Sequence, residues 1–377
     1  MEADTRYYYQ IQPDGETISF KTPPTSASVA GSSVNFAFFG DLGLINGDSS
    51  RKYLDELVDG GEIDLIFHGG DVGYADDSFL HLGCIFRFCY EEKWNQFMDA
   101  MSSFTSRIPW MTTPGNHEAD CHSPACLLSR HKRDKLSNFT AYNSRFRMPS
   151  EESGGVMNMW HSFNYGPVHF VAMDLETGFP GAAEEKRYVL KCGGFGDQVA
   201  WLKEDLKAAR ANPDITWIVA GGHHPMYNGG RVDKKMQTAI EPLLHEYHVD
   251  VLFTGHVHSY ERDWPTYNGM VVRSYDKPGF TTHVMIGGPG NDEMVAGLRR
   301  GLEEDVLEEI EQEIIDPSRE STHAWTDSLA RGNADMIAVE DFTHYGIGVV
   351  AANRTHLSVE YVQTTDGVVA DSFVLTK

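Results

Sequence analysis

Short apolar runs recur along this chain at lengths that suit strands, and stretches with apolar positions at helical spacing lie between several of them. The runs cover 34–39, 63–67, 108–112, 168–173, 215–220, 249–253 and 283–286. The helical stretches cover 51–59, 91–104, 197–210 and 234–247. In the third, Asp197 stands where an N-cap belongs, ahead of an apolar face at helical spacing. Strands alternating with helices predict an α/β sheet covered by helices. Ahead of this pattern, Tyr7-Tyr8-Tyr9-Gln10 and Thr17-Ile18-Ser19-Phe20-Lys21 read as two short strands with Gly15 in the turn. Thr22-Pro23-Pro24-Thr25-Ser26 reads as a linker. Two strands cannot make a stable domain alone. Residues 1–31 are therefore expected to be the tail of a small β domain plus its linker, and residues 32–377 the main domain. Within the latter, 293–333 is acidic and helix-rich, which predicts a helical excursion on the surface. The end returns to strands at 345–351, 356–363 and 368–376, with Thr365-Asp366-Gly367 as a hairpin turn.

Five of the apolar runs lead into a glycine followed at once by a side chain able to bind metal. The motifs are Gly40-Asp41-Leu42-Gly43, Gly70-Asp71-Val72-Gly73-Tyr74, Gly115-Asn116-His117-Glu118, Gly222-His223-His224-Pro225 and Gly255-His256-Val257-His258. In open α/β sheets ligands collect at the carboxyl ends of strands, so these motifs predict one site on one sheet. Glycine before each ligand is expected to let the backbone turn tightly. One Asp or His at a strand end is ordinarily a turn former; five such motifs in this order carry the inference. Asp41, Asp71, Tyr74, Asn116, His223, His256 and His258 suffice for two metal ions sharing one carboxylate. Such a centre suits a hydrolase of phosphate esters. His117 is the first candidate for binding substrate and protonating its leaving group, with Glu118 expected to orient it. His224, next to His223, is the second candidate. Arg231 is a candidate phosphate contact, against the plainer reading of a solvated loop residue.

Charge narrows this reading. Lys plus Arg number 31 against 55 Asp plus Glu, a net charge of −24. That excludes nucleic acid or an anionic membrane as a partner held by bulk charge. An anionic substrate would be repelled at long range, and bound metal ions would reverse the field locally. No apolar run approaches the roughly 18 residues of a membrane span, so no membrane insertion is expected. The five cysteines are Cys84, Cys89, Cys121, Cys126 and Cys192. The first four form two Cys-x4-Cys pairs, which read either as two small disulfide loops with Cys192 free or as five thiols of a cytosolic protein. The sequons Asn138-Phe139-Thr140 and Asn353-Arg354-Thr355 favour a glycoprotein, secreted or lysosomal/vacuolar. No signal peptide follows Met1, so the expectation is a cytosolic chain or one whose true N-terminus lies elsewhere.

On these motifs the chain resembles the metallophosphoesterase superfamily, and Tyr74 narrows the resemblance to the purple acid phosphatases. It covers about residues 30–377, including Leu357-Ser358-Val359-Glu360-Tyr361 and Asp371-Ser372-Phe373. Residues 7–26 resemble the end of the fibronectin-like domain that precedes the catalytic domain in the larger plant and fungal members. The resemblance implies a four-layer α/β/β/α sandwich of two mixed β-sheets flanked by helices. It implies a ferric ion on Asp41, Asp71, Tyr74 and His258, whose anionic donors are hard. It implies a divalent ion, Zn, Fe or Mn, on Asp71, Asn116, His223 and His256, with Asp71 bridging. The activity implied is an acid phosphatase, which hydrolyses phosphate monoesters to alcohol and inorganic phosphate through a hydroxide activated at the Fe(III)–M(II) centre. A phosphodiesterase or nucleotide pyrophosphatase on the same scaffold, and a weakly active phosphate-binding protein, are the competing readings. Family members can form homodimers, and no sequence feature decides that here. Two departures stand out. Val219 lies four residues before His223, with Ala220 at the usual valine position. Asn228-Gly229-Gly230-Arg231-Val232 lacks the two adjacent histidines of the plant members.

Overall fold

The computed structural model describes residues 1–25, 33–76, 84, 87–121, 123–182, 190–291 and 335–377. Two mixed sheets form the centre. One has six strands, in the order Val369–Thr376, His356–Gln363, Gly346–Ala352, Val34–Phe39, Leu65–Gly69 and Trp110–Thr113. Its last three strands run parallel and the others antiparallel. The second has seven strands, in the order Ile337–Asp341, Tyr260–Asp263, Thr282–Ile286, Val251–Thr254, Trp217–Gly221, Val168–Ala172 and His161–Tyr165. Its four middle strands are parallel and its edges antiparallel.

Alternation along each strand assigns side chains to layers. Phe36, Phe38 and Phe67 leave the first sheet toward the second, where they meet Phe170 and Phe253. The ring centroids lie 4.9 Å apart for Phe36–Phe170, 4.7 Å for Phe38–Phe253 and 5.5 Å for Phe38–Phe67. On the opposite face Phe39, His68 and Trp110 form a row, and Trp110 meets Phe97 of the helix Tyr90–Thr105. Beyond the second sheet, Val171, Ile218, Ala220 and Leu252 pack with Leu202 and Leu206 of the helix Gln198–Ala211 and with Met236 and Leu244. The result is helix, sheet, sheet, helix, with the apolar core between the sheets continuous with the layer outside the six-stranded sheet and a second apolar cluster beyond the seven-stranded one. Burying each of these phenylalanines contributes roughly 1.5–3 kcal/mol.

Several local expectations fit these elements. Asp197 caps Gln198–Ala211, its Oδ1 accepting from the N–H of Ala200 at 3.0 Å. Arg6–Tyr9 and Ile18–Lys21 pair as an antiparallel hairpin, and Tyr9 reaches across to donate to the carbonyl of Ser106 at 2.7 Å. Other expectations need correction. The strand–helix alternation alone reads as one sheet; there are two, as the family resemblance implies. Two of the parallel strands, Leu65–Gly69 and Trp217–Gly221, start later than expected and run on to glycine, because pairing is decided by the neighbouring backbone: Gly69 faces Thr113, and Gly221 faces Phe253. The stretch 234–247 breaks into Lys234–Ala239 and Glu241–Glu246, since Pro242 has no N–H to continue the first helix. The strand Tyr260–Asp263 is hidden in the sequence by its charge. All four of its residues are buried, and Arg262 is neutralised by Asp371 at 2.7 Å.

Of the two cysteine readings, the structure has the disulfide loops: Cys84–Cys89 and Cys121–Cys126 are bonded, and Cys192 is buried outside both bonds. No described helix is long and apolar enough to cross a membrane. The acidic stretch 293–333 and the expected boundary at residue 31 lie outside the described residues.

Candidate metal centre

All seven candidate ligands follow the carboxyl ends of parallel strands, but the strands belong to both sheets. Asp41, Asp71, Tyr74 and Asn116 come from loops of the six-stranded sheet; His223, His256 and His258 come from loops of the seven-stranded one. The loops are laced together by backbone bonds. Asp41 N–H donates to the carbonyl of Gly70 at 3.1 Å, Gly43 to Val72 at 3.2 Å, and Gly255 to His223 at 2.9 Å.

The glycines work differently from the tight turns expected. Among the five that precede the ligands only Gly70 has a positive φ. The ligands themselves take that conformation: Asp41 at φ 59°, Asp71 at 48°, Tyr74 at 48° and His256 at 72°. Non-glycine residues rarely adopt it, and each costs about 1–3 kcal/mol held against local preference. The glycines instead allow close approach. A Cβ on Gly115 would sit 2.2 Å from Oδ1 of Asp71, and one on Gly255 would sit 2.4 Å from Oδ2 of Asp41.

The side chains fall into two contiguous sets. In the first, Oη of Tyr74 lies 3.0 Å from Oδ1 of Asp41 and 3.0 Å from Nε2 of His258. In the second, Nε2 of His223 lies 2.9 Å from Oδ2 of Asp71 and 3.0 Å from Oδ1 of Asn116. Nδ1 of His256 is 2.9 Å from the same Asn116 oxygen. The sets meet where Nε2 of His223 comes within 4.0 Å of Oδ1 of Asp41. Asp41, Asp71, Tyr74 and His223 are buried, whereas Asn116, His256 and His258 are half-buried and form the open side.

The donor set fits metal ions. Nδ1 of His223 lies 2.9 Å from the carbonyl of Gly69, which assigns its proton there and leaves a lone pair on Nε2. Nε2 faces two oxygen acceptors, a place that either a proton or a metal cation would fill. The local field says the same. Burial alone would lower the pKa of His223, yet Asp71 and Asp41 push it up to about 10. Burial would likewise raise the Asp71 carboxyl, but His223 and His117 hold it far below the usual carboxylate range. The cluster concentrates negative charge and draws positive charge to itself.

His117 and His224 flank this centre from different sides. The His117 ring lies 4.3 Å from that of Tyr74, and its Nε2 is 3.9 Å from Oδ2 of Asp71. The His224 ring leans on His256 at 3.7 Å. Each imidazole has a buried carboxylate behind it that the sequence reading did not name. Asp76 meets Nδ1 of His117 at 2.8 Å, and Glu176 meets Nδ1 of His224 at 2.6 Å. Asp76 lies two residues after Tyr74, which is the one local signal that could have pointed to it.

Glu118 therefore does not orient His117. Its carboxylate accepts from the backbone N–H groups of Asp71, Val72 and Gly115, each at 2.9 Å, and ties two ligand loops together. Burial and the nearby Asp71 raise its pKa to about 8, against the pull of those donors. Asn291, also unnamed by the sequence reading, donates from Nδ2 to the carbonyl of Asp41 at 2.8 Å and to Oη of Tyr74 at 3.2 Å. Arg231 is half-buried in a short hairpin pairing with Asn228, and the turn is held by Glu261, which accepts from the N–H of Gly229 at 2.9 Å.

Residues 34–260 match the family described as calcineurin-like phosphoesterase, and residues 318–372 match that described as iron/zinc purple acid phosphatase-like protein C. An acid phosphatase of Aspergillus ficuum is 27% identical over 480 residues, covering 100% of this chain and 74% of its own length. Purple acid phosphatase 18 of Arabidopsis thaliana is 33% identical over 301 residues, covering 78% of this chain and 57% of its own. The chain thus spans little more than half the length of its plant relatives. Among solved structures, a purple acid phosphatase from yellow lupin seeds superposes with a TM-score of 0.66 at 20% identity, covering 100% of this chain and 60% of that one. That likeness concerns the fold.

Proposed function

Because this chain belongs to the calcineurin-like phosphoesterase family, in its purple acid phosphatase branch, we propose that it hydrolyses phosphate monoesters at a binuclear metal centre. The observation that carries the reading is the division of seven side chains into two adjoining donor sets, flanked by two imidazole–carboxylate couples. In this reading Asp41, Tyr74 and His258 hold a ferric ion, Asn116, His223 and His256 hold a divalent one (Zn, Fe or Mn), and Asp71 serves both. Bound there, the two ions would supply Lewis acidity, acidifying a water and offsetting the charge of the phosphate.

The chain's own groups do the rest. His117 hands a proton from Nε2 to the leaving alkoxide, while Asp76 holds its Nδ1–H and supports the imidazolium form. His224, turned by Glu176, presents its other nitrogen to a phosphate oxygen. In a chain of net charge −24, the bound ions would reverse the field locally and so admit an anionic ester. The two disulfides fit an oxidising compartment, secreted or lysosomal/vacuolar, and Asn138 is exposed as a glycan acceptor must be.

The test is to load the purified protein with iron and a divalent metal, record its visible spectrum, and assay a chromogenic monoester beside a diester. A tyrosinate-to-iron band that Tyr74→Phe abolishes, with faster turnover of the monoester, is expected. Loaded protein that is colourless sinks the Tyr74 assignment. Coloured protein that prefers the diester would show a phosphodiesterase, and one that binds phosphate without turnover would show a binding protein.

A further inference from the structure

Asn291 is fully buried on the loop that follows the strand Thr282–Ile286. Its amide is aimed at the first donor set and held there from behind. Its backbone carbonyl accepts from Nδ2 of Asn46 at 3.0 Å. Gly290 before it has φ 109°, and a Cβ at that position would sit 2.6 Å from the carbonyl oxygen of Asn46. The chain is thus pinned against the loop that follows Asp41, with the Asn291 amide between the Asp41 carbonyl and the Tyr74 oxygen.

Among the described residues, Asp41, His258 and Asn291 place polar groups of different kinds near Oη of Tyr74. Asp41 presents a carboxylate oxygen at 3.0 Å and His258 a ring nitrogen at 3.0 Å. Facing a metal ion, both offer lone pairs. The Asn291 amide nitrogen offers only hydrogens. We propose that Asn291 is a positioning residue that donates a hydrogen bond to the Tyr74 phenolate and sets the energy of its charge transfer to a ferric ion. The inference rests on the proposed function, since it requires iron on Tyr74. Hydrogen bonds to an ionised acceptor are short and strong, and they stabilise the filled orbitals of that acceptor. An electron leaving the phenolate for the metal then needs more energy. The second bond, to the Asp41 carbonyl, supports the left-handed turn at Asp41, so one amide serves two members of the same donor set.

Asn291→Leu removes the donor at similar volume. With the protein loaded as above, the visible band is expected to move to longer wavelength while iron content per chain stays that of the wild type. A merely structural role would lower iron content or stability without moving the band of the sites that remain. A coloured wild type whose band stays in place in Asn291→Leu overturns this inference alone. A colourless wild type overturns the Tyr74 assignment and this inference with it. If Asn291→Leu does not fold, resonance Raman of the wild type in H2O and D2O gives a second reading. A deuterium-sensitive tyrosinate C–O stretch is expected, and an insensitive one overturns the proposal.

Discussion

Oδ2 of Asp76 lies 2.8 Å from Nδ1 of His117, and both side chains are buried. The contact assigns the ring proton to Nδ1, points Nε2 at the donor cluster and favours the charged ring. Asp76→Asn keeps the shape and removes the charge. We expect kcat for an alkyl phosphate to fall about 10- to 100-fold, the range typical for losing a group that orients a working imidazole. An aryl phosphate with an acidic phenol leaving group needs less help from an acid and should lose far less. Steady-state kinetics on both substrates, with metal content held equal, checks this. Equal losses on the two would refute proton donation by His117.

Glu118 joins the loops of Asp71 and Asn116 through three backbone N–H groups. Glu118→Gln turns an amide NH2 toward donors and leaves buried N–H groups unmatched. The expected cost is roughly 2–3 kcal/mol of stability, with divalent-metal affinity about 10- to 100-fold weaker. Urea unfolding and competitive chelation measure the two separately.

His68, His161 and His283 are buried, and burial lowers the pKa of each to about 3. All three are neutral in the folded chain. At and above their unfolded pKa of about 6.5 they cost nothing. As pH falls below that value the unfolded chain takes up protons that the folded one refuses. Each histidine then removes about 1.4 kcal/mol per pH unit until the folded pKa is reached. For His161 and His283 burial is the sole cause, and the His161 ring also stacks on Phe163, so a phenylalanine suits its place. His161→Phe should flatten the decline of the urea midpoint between about pH 6 and about pH 4. An unchanged slope would show that the ring is not held neutral.

Cys121–Cys126 closes a short loop directly after the helix Asn116–Ala119, which carries Asn116 and His117. Closing so small a loop contributes roughly 2 kcal/mol through the unfolded chain. The Cys121→Ser, Cys126→Ser double variant should lose that much in urea unfolding. Because Asn116 belongs to the second donor set, dialysed variant should also lose divalent metal before iron, which elemental analysis would show.

The readable part of this molecule is local. The apolar runs located the central strands to within about two residues, and Asp197 marked a helix start by its own side chain. Ligand types placed directly after those runs named the seven residues that come together. The expected role of Glu118 failed because adjacency in sequence does not say which way a side chain turns. It turns away from His117 to the backbone of two other loops.

By itself the sequence determined which residue types sit at strand ends, since hydrophobic periodicity and the glycines beside it are properties of a few consecutive residues. The tertiary structure decided which strands pair in each of the two sheets. It also decided that the site straddles both, and that Asp76, Glu176 and Asn291 stand behind His117, His224 and Tyr74. The physical reason is range. Strand order depends on pairings between distant segments, as Val34–Phe39 with Gly346–Ala352. A buried carboxylate finds its imidazole only once those pairings have brought their loops to one edge, and the left-handed backbone at Asp41, Asp71, Tyr74 and His256 is held by that assembled packing against local preference.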